Sequence, residues 1–467
     1  MLFPTLQFAA FFLVVLVASW LLMPSPVRWK PFILAASYAF YAAWDWRFVG
    51  LLAAVTVVNQ AGAVAVDRAA GDRWRRCLLG LTVAADLGLL GWFKYYGFFA
   101  ASLASLLEPM GLPTPLPLLE IVLPVGISFF TFQAISYVAD VYRGTLRPAH
   151  PIDTAVYLAF FPHLVAGPIV RAAEFLPQLR RPRDARRVDG GRAFMLIAGG
   201  LAKKVVVANL LATAIVDPVF AGPASASSAE ILVATYAYAV QIYADFSGYT
   251  DIAIGCALLL GFNFPPNFDR PYSAVSLQEF WQRWHMTLSR WLRDYLYIPL
   301  GGNTGSARRT ERNLLLTMLL GGLWHGAAWT FVVWGAIHGG GLALERRWLA
   351  ATRGRRRAGP LVRRVVTFHV VCLAWVFFRA DSMSSAGTLL WRLFTAWGPA
   401  PLVTPAVLTV VALALALQLV PRTAADRLQV AFSRLTPVTQ GATLGAALLV
   451  IDALGPRGVA PFIYFQF

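Results

Sequence analysis

A chain of 467 residues that is 58% hydrophobic and only 13% charged, with a mean hydropathy of +0.61, is too apolar for a water-soluble globule, in which about 25% of residues carry charge. Its net charge of +17 collects in four arginine-rich stretches, Arg68 to Arg76, Arg171 to Arg192, Arg308 to Arg312 and Arg346 to Arg364. That pattern reads first as the inside-positive bias of a membrane protein, placing all four on the cytoplasmic side, and no nucleic-acid partner is expected. Cys77, Cys256 and Cys372 are isolated thiols without disulfide or metal-ligand spacing, and the chain has no Walker loop, Rossmann fingerprint or HExxH pattern. Zinc catalysis, nucleotide hydrolysis and dinucleotide redox chemistry are therefore unsupported, and no metal or bound cofactor is expected.

Apolar runs recur along the whole chain: Phe8 to Met23, Pro31 to Ala43, Phe48 to Val66, Cys77 to Phe93, Leu123 to Val141, Ile231 to Tyr243, Thr367 to Phe378, Leu402 to Val420 and Gly441 to Leu454. Each spans or nearly spans a hydrocarbon core of about 30 Å, so the expected fold is an all-α polytopic bundle of about 11 crossings with further helices that enter without crossing. Met1 to Met23 has no basic leader and no small-residue cleavage site, and reads as a retained first helix. No stretch is long and polar enough for a separate soluble domain, so residues 1–467 are expected to form a single membrane domain.

In chain order, the first candidate for chemistry is His163, in the Pro- and Gly-broken apolar segment Phe160 to Arg171, suited to a re-entrant turn. Next, Asp245 and Asp251 flank Ser247, Gly248 and Tyr249 between two apolar runs. Carboxylates at membrane depth need partners, which an arginine, a tyrosine hydroxyl or a histidine would supply. Ser247 carries no nucleophile-elbow pattern, which argues against a hydrolase triad. The Pro- and Asn-rich stretch Asn263 to Pro271 reads as a loop returning the chain to the surface.

Ser276 to Leu300 mixes charges and aromatics at a helical period. On a helical wheel Trp281, Trp284, His285, Leu288, Trp291, Leu292 and Tyr295 share an arc of about 120°, with Arg283, Arg290, Arg293 and Asp294 opposite. The helix as a whole suits the membrane interface, while His285 faces its inward, aromatic side. His325 then lies midway along Leu314 to Gly340, crowded by Gly321, Gly322 and Gly326. An ionisable group at this depth marks a substrate or proton path, or else it hydrogen-bonds between helices.

The basic loops constrain this segment. With Arg312 and Arg346 on one side, the 33 residues between them must cross an even number of times, yet they reach only about 50 Å as helix where two full spans need about 60 Å. A broken or re-entrant pair with irregular backbone near His325, lining a cavity, resolves the conflict. His325 would lie about 18 Å along the helix from Asn313. His338 is 13 residues further on, on a nearly opposite face unless the helix breaks. His150 falls in a loop and His369 at the start of a span.

Seven ordered blocks resemble the membrane-bound O-acyltransferase (MBOAT) family, most closely its bacterial branch serving alginate O-acetylation: Phe161 to Arg171, Asp245 to Gly255, Gly261 to Tyr272, Phe280 to Asn303, Gly321 to Gly339, Phe368 to Ser382 and Pro461 to Phe467. Trp92 to Phe99 is a weaker eighth, and the likeness runs from about residue 90 to the end, with a motif-bearing core at about 120–382. The resemblance implies an MBOAT-type helical bundle around a central tunnel in the bacterial inner membrane. It implies an O-acetyltransferase that moves acetyl from cytoplasmic acetyl-CoA towards an exported, alginate-like polysaccharide, alone or through a periplasmic acetyltransferase partner, among membrane lipids. His325 in the Trp-His-Gly motif matches the family's principal catalytic histidine and is expected to act as general base, and His285 in Arg-Trp-His matches its second. Trp324, Asp245, Tyr249, Asp251, His163, His338, Arg283 and Trp284 are expected along the substrate path. The alternatives are D-alanyl transfer to teichoic acid, acetylation of peptidoglycan, or a transporter, against which the chain shows no pair of similar halves.

Overall fold

The computed structural model describes all residues except 2, 113–115, 118, 120, 166, 353–357, 456–462 and 464–467. The expected block at Pro461 to Phe467 thus lies outside the described residues apart from Ile463. The described residues form helices and no strand, as a bilayer requires of backbone that must satisfy its own polar groups. The chain divides into two compact units, residues 1–188 with 256–264, and 189–255 with 265–467.

In the first unit the helices Leu6–Leu22, Pro26–Asp45, Arg47–Arg68, Asp72–Leu90 and Ile127–Tyr142 follow the apolar runs of the sequence. Arg47–Arg68 packs on Asp72–Leu90 and Ile127–Tyr142, and its buried Asn59 donates to the buried Asp86 at 2.8 Å. A phenylalanine cluster of Phe8, Phe40, Phe160 and Phe161 fills the space beside them.

The second unit is built on the Gly190–Leu201 helix, which continues through two π-helical turns, Ala202–Ala208 and Ala212–Val216, and on the part of the long helix Ser228–Leu259 that belongs to it. Their crossing is close because neither bears a side chain there: a Cβ on Gly200 would stand 2.5 Å from the Gly248 carbonyl oxygen, and one on Gly248 2.7 Å from that of Gly200. After the crossing come Ala307–His325, Trp329–Ala351, Pro360–Arg379 and the amphipathic Met383–Thr395.

Five helical stretches among the described residues are long and apolar enough to cross a membrane alone: Arg47–Arg68, Asp72–Met110, Gly190–Ala221, Pro360–Arg379 and Pro437–Leu454. Pro405–Leu417 and Arg422–Ser433 make a sixth if their 93° bend is taken within one span. The other apolar runs lie in helices that do not meet this length and composition, Leu6–Leu22 among them, so these criteria do not by themselves return the expected count of about 11. Gly190–Ala221 does not stand out among the apolar runs of the sequence, because Lys203 and Lys204 interrupt it. The structure pairs both lysines with aspartates of the crossing helix, which removes the penalty that hides the span.

Candidate functional site

The break expected near His325 is present. Ala307–His325 ends on that residue, Gly326 and Ala328 are extended on either side of a bend, and Trp329–Ala351 returns along the first helix. The touching positions descend in one helix as they ascend in the other. A Cβ on Gly322 would collide with the Phe331 carbonyl oxygen, one on Gly335 with that of Met318, and one on Gly339 would stand 2.9 Å from the Leu315 Cα. Three glycines thus let the two backbones touch. The turn brings both hairpin histidines to the Trp334 ring, His325 at 4.9 Å and His338 at 4.8 Å between centroids. On an unbroken helix the two would face apart.

Trp324, Trp334 and Phe378 enclose the His325 ring, with centroids at 5.0, 4.9 and 5.3 Å. The residue is 2% exposed. His285 lies 6.5 Å from it and 5.9 Å from Trp324. His285, Trp284 and His338 are also buried.

The continuous amphipathic helix expected over Ser276 to Leu300 is not what forms. Leu277–Arg283 and Met286–Leu292 are separate helices, and His285 between them has φ 41° and ψ 54°, the left-handed region. The inward face of the wheel nevertheless holds for Trp281, Trp284, His285, Leu288, Trp291 and Leu292, and all six are buried. The break arises because the preceding loop takes over the helix's own hydrogen bonds. In a continuous helix Thr287 N–H would reach the Arg283 carbonyl. Here that carbonyl accepts from Asp269 N–H at 2.9 Å, and Met286 N–H donates to the Asn267 carbonyl at 2.9 Å. Thr287 N–H and its hydroxyl donate to Asn267 Oδ1 at 3.2 and 3.0 Å. The loop expected to return to the surface is therefore partly internal, with Asn267 buried beside His285 at 3.1 Å.

His338 has a different partner. The Trp281 indole N–H donates to its Nδ1 at 3.3 Å. Trp281 also forms part of the wall of a cavity of about 800 Å³ with Met286, Ser289, Arg290, Arg293 and Arg346. The histidines are not in that wall, and the Trp281 side chain stands between this cavity and His338.

The remaining candidates have structural partners. Arg283 donates twice to Glu279 Oε1, at 3.0 and 2.7 Å, and to the Asp269 carbonyl at 3.3 Å. Trp284 stacks on Phe280 with centroids 5.7 Å apart. Asp245 pairs with Lys204 and accepts Ile463 N–H at 2.9 Å, while Asp251 pairs with Lys203. Their partners are thus lysines, not the arginine, tyrosine or histidine considered from sequence. Tyr249 is fully buried. His163 belongs to the first unit, where its Nε2–H donates to the Tyr157 carbonyl at 2.9 Å among Phe160, Phe175 and Phe264. No group of three or more His, Cys, Asp or Glu among the described residues could hold a metal ion.

Two kinds of comparison bear on this arrangement. Residues 146–380 match the sequence model of the membrane-bound O-acyltransferase family. A "Probable alginate O-acetylase" of Azotobacter vinelandii is 45% identical over 381 residues, 80% of this chain and 73% of that protein. The peptidoglycan O-acetyltransferase of Helicobacter pylori is 37% identical over 392 residues, covering 78% and 73%, and a teichoic acid D-alanyltransferase of Streptococcus thermophilus is 29% identical over 280 residues, covering 54% and 68%. The matched span holds His163, Asp245, Asp251, His285, His325 and His338. The chain belongs to the membrane-bound O-acyltransferase family and is a multi-pass acyltransferase of the bacterial inner membrane.

Proposed function

We propose that the chain, acting as one acyltransferase domain, is an O-acetyltransferase that passes acetyl from cytoplasmic acetyl-CoA towards an exported, alginate-like polysaccharide, with His325 as general base. The observation that carries the reading is the place of His325. It ends a helix at a backbone break, within an aromatic cluster that also holds His285 and His338, inside a chain 45% identical to a probable alginate O-acetylase.

The chemistry asks little more of the protein. A thioester carbonyl is already electrophilic, so the site must hold the acceptor hydroxyl against it, take the hydroxyl proton and support the oxyanion. His325 takes the proton as the oxygen attacks. The tetrahedral intermediate then expels the thiolate, which recovers that proton from the imidazolium. The neighbouring cavity, with Arg290, Arg293 and Arg346 beside Trp281 and Met286, suits a donor with a phosphorylated head and a slender arm that ends in the thioester. On the inside-positive reading Arg346 belongs to a cytoplasmic stretch, which puts this mouth on the donor side. The acceptor is the polysaccharide itself or a periplasmic acetyltransferase that makes the final transfer. Arg283, Trp284, Asp245 and Asp251 support the site from outside it, and membrane lipid surrounds the bundle.

The test is complementation of a strain deleted for this chain, reading ester-linked acetyl on exported polysaccharide. His325→Ala, present in the membrane at wild-type level, is expected to lower acetylation by about 10²- to 10⁴-fold, the usual contribution of a general base. Undiminished acetylation would remove the proposal. Loss of acetyl from peptidoglycan instead of an exported polysaccharide would move the acceptor to the class named for the Helicobacter pylori relative.

A further inference from the structure

We infer that Asn267 is a positioning residue that fixes the tautomer of His285, so that His285 presents an unprotonated Nε2 inside the histidine cluster. This rests on the acyltransferase reading of that cluster and extends it to a loop residue outside the histidine motifs.

The Thr287 backbone N–H can only donate, so the Asn267 side-chain atom facing it at 3.2 Å is the amide oxygen and not the nitrogen. That same Oδ1 stands 3.1 Å from His285 Nδ1. Two lone pairs do not share that distance, so Nδ1 carries the hydrogen and donates it. A neutral imidazole has one ring hydrogen, which leaves Nε2 as the bare acceptor. That Nε2 is buried and has no hydrogen-bond partner among the described residues. Its ring meets Phe246 edge to face at 4.6 Å and lies 6.5 Å from the His325 ring.

The backbone supports the same assignment. Among the described residues only Arg270 and His285 have positive φ without being glycine, and both belong to the two chain segments that Asn267 joins. A left-handed histidine is strained and persists only when its surroundings hold it there. Asn267 holds it through its own carbonyl on Met286 N–H and through its side chain on Thr287 and His285. His338 is set the opposite way: the indole N–H of Trp281 can only donate, so His338 Nδ1 accepts and its hydrogen sits on Nε2. That Nε2 also has no partner among the described residues. The cluster therefore offers one imidazole acceptor and one imidazole donor, as a reaction that takes a proton and supports an oxyanion requires.

The test uses the full-length chain in the deletion strain, with Asn267→Ala, Asn267→Asp and His325→Ala side by side. Asn267→Ala removes the acceptor but keeps the backbone bond to Met286, and is expected to lower ester-linked acetyl by about 10- to 100-fold. Asn267→Asp keeps an oxygen acceptor and is expected to recover at least half of the wild-type level, which a purely volume-filling role would not predict for a buried charge. Nitrogen-15 spectra of the wild-type protein labelled at histidine should show His285 hydrogen on Nδ1, with mixed tautomers in Asn267→Ala. The inference is overturned by wild-type acetylation in Asn267→Ala, by Asn267→Asp as defective as Asn267→Ala, or by hydrogen on Nε2 of His285 in the wild type. Should Asn267→Ala fail to reach the membrane, the aspartate variant and the wild-type spectrum decide alone. His325→Ala separates the two failures. If it too acetylates normally, the acyltransferase reading of the cluster falls, whereas if it alone is inactive only the role of Asn267 falls.

Discussion

The second unit brings polar side chains into apolar surroundings in two ways. Where the 190–221 and 228–259 helices cross, each charge meets its opposite: Lys204 pairs with Asp245, Lys203 with Asp251, and Asp245 also takes Ile463 N–H. In the histidine cluster, His285 Nε2, His338 Nε2 and Trp334 Nε1 have no partner among the described residues. The first arrangement is closed, and its polar groups hold helices together. The second leaves donors and acceptors of both kinds unpartnered, as the reacting ligand proposed for it would need.

Removing one partner of the closed pair strands the other as a buried charge, so Lys204→Met should cost about 3–5 kcal/mol, and Lys204→Met with Asp245→Asn should recover most of it. Thermal unfolding of the purified protein reads both, and a single variant as stable as wild type would show that the crossing is not held by the pair. Gly322→Ala drives a methyl into the Phe331 carbonyl oxygen and should cost about 1–3 kcal/mol with a loss of acetylation. Gly340→Ala, which meets nothing within 4 Å, is its matched control and should leave both unchanged. Trp281→Phe keeps a ring in place and removes only the N–H on His338, an effect of about 1 kcal/mol best read as a fall in turnover at constant protein level. A smaller loss is expected at Lys203→Met than at Lys204→Met in the same unfolding measurement, because both partners are partly uncovered, 28% and 29%, and the stranded Asp251 is less deeply buried than Asp245.

One half of this contrast is legible in the sequence. The charge of the flanking loops requires a break near His325, and the aromatic stripe around His285 shows its inward face. The rest depends on contacts that no local pattern announces. Arg283, Trp284, His285 and Met286 include neither glycine nor proline, so nothing in that run predicts a helix end. The end is imposed by Asn267 and Asp269, which take hydrogen bonds the helix would have made with itself. Asn267 looks like one more loop asparagine because its partner lies 18 residues on. The lysine partners of Asp245 and Asp251 are hidden for the complementary reason, since a pair of charges inside an apolar run reads as an interruption until the opposing helix is known.

The glycine contacts of the 307–351 hairpin also bear on motion. Backbones that approach this closely at Gly322, Gly335 and Gly339 cannot slide past one another without steric collision, so the hairpin is expected to move as one unit with His325 at its tip and His338 on its return arm. Any displacement that uncovers His325 must then be taken up by its neighbours. Within the second unit these neighbours include the pair of seven-residue helices flanking His285, where the chain is already bent at rest.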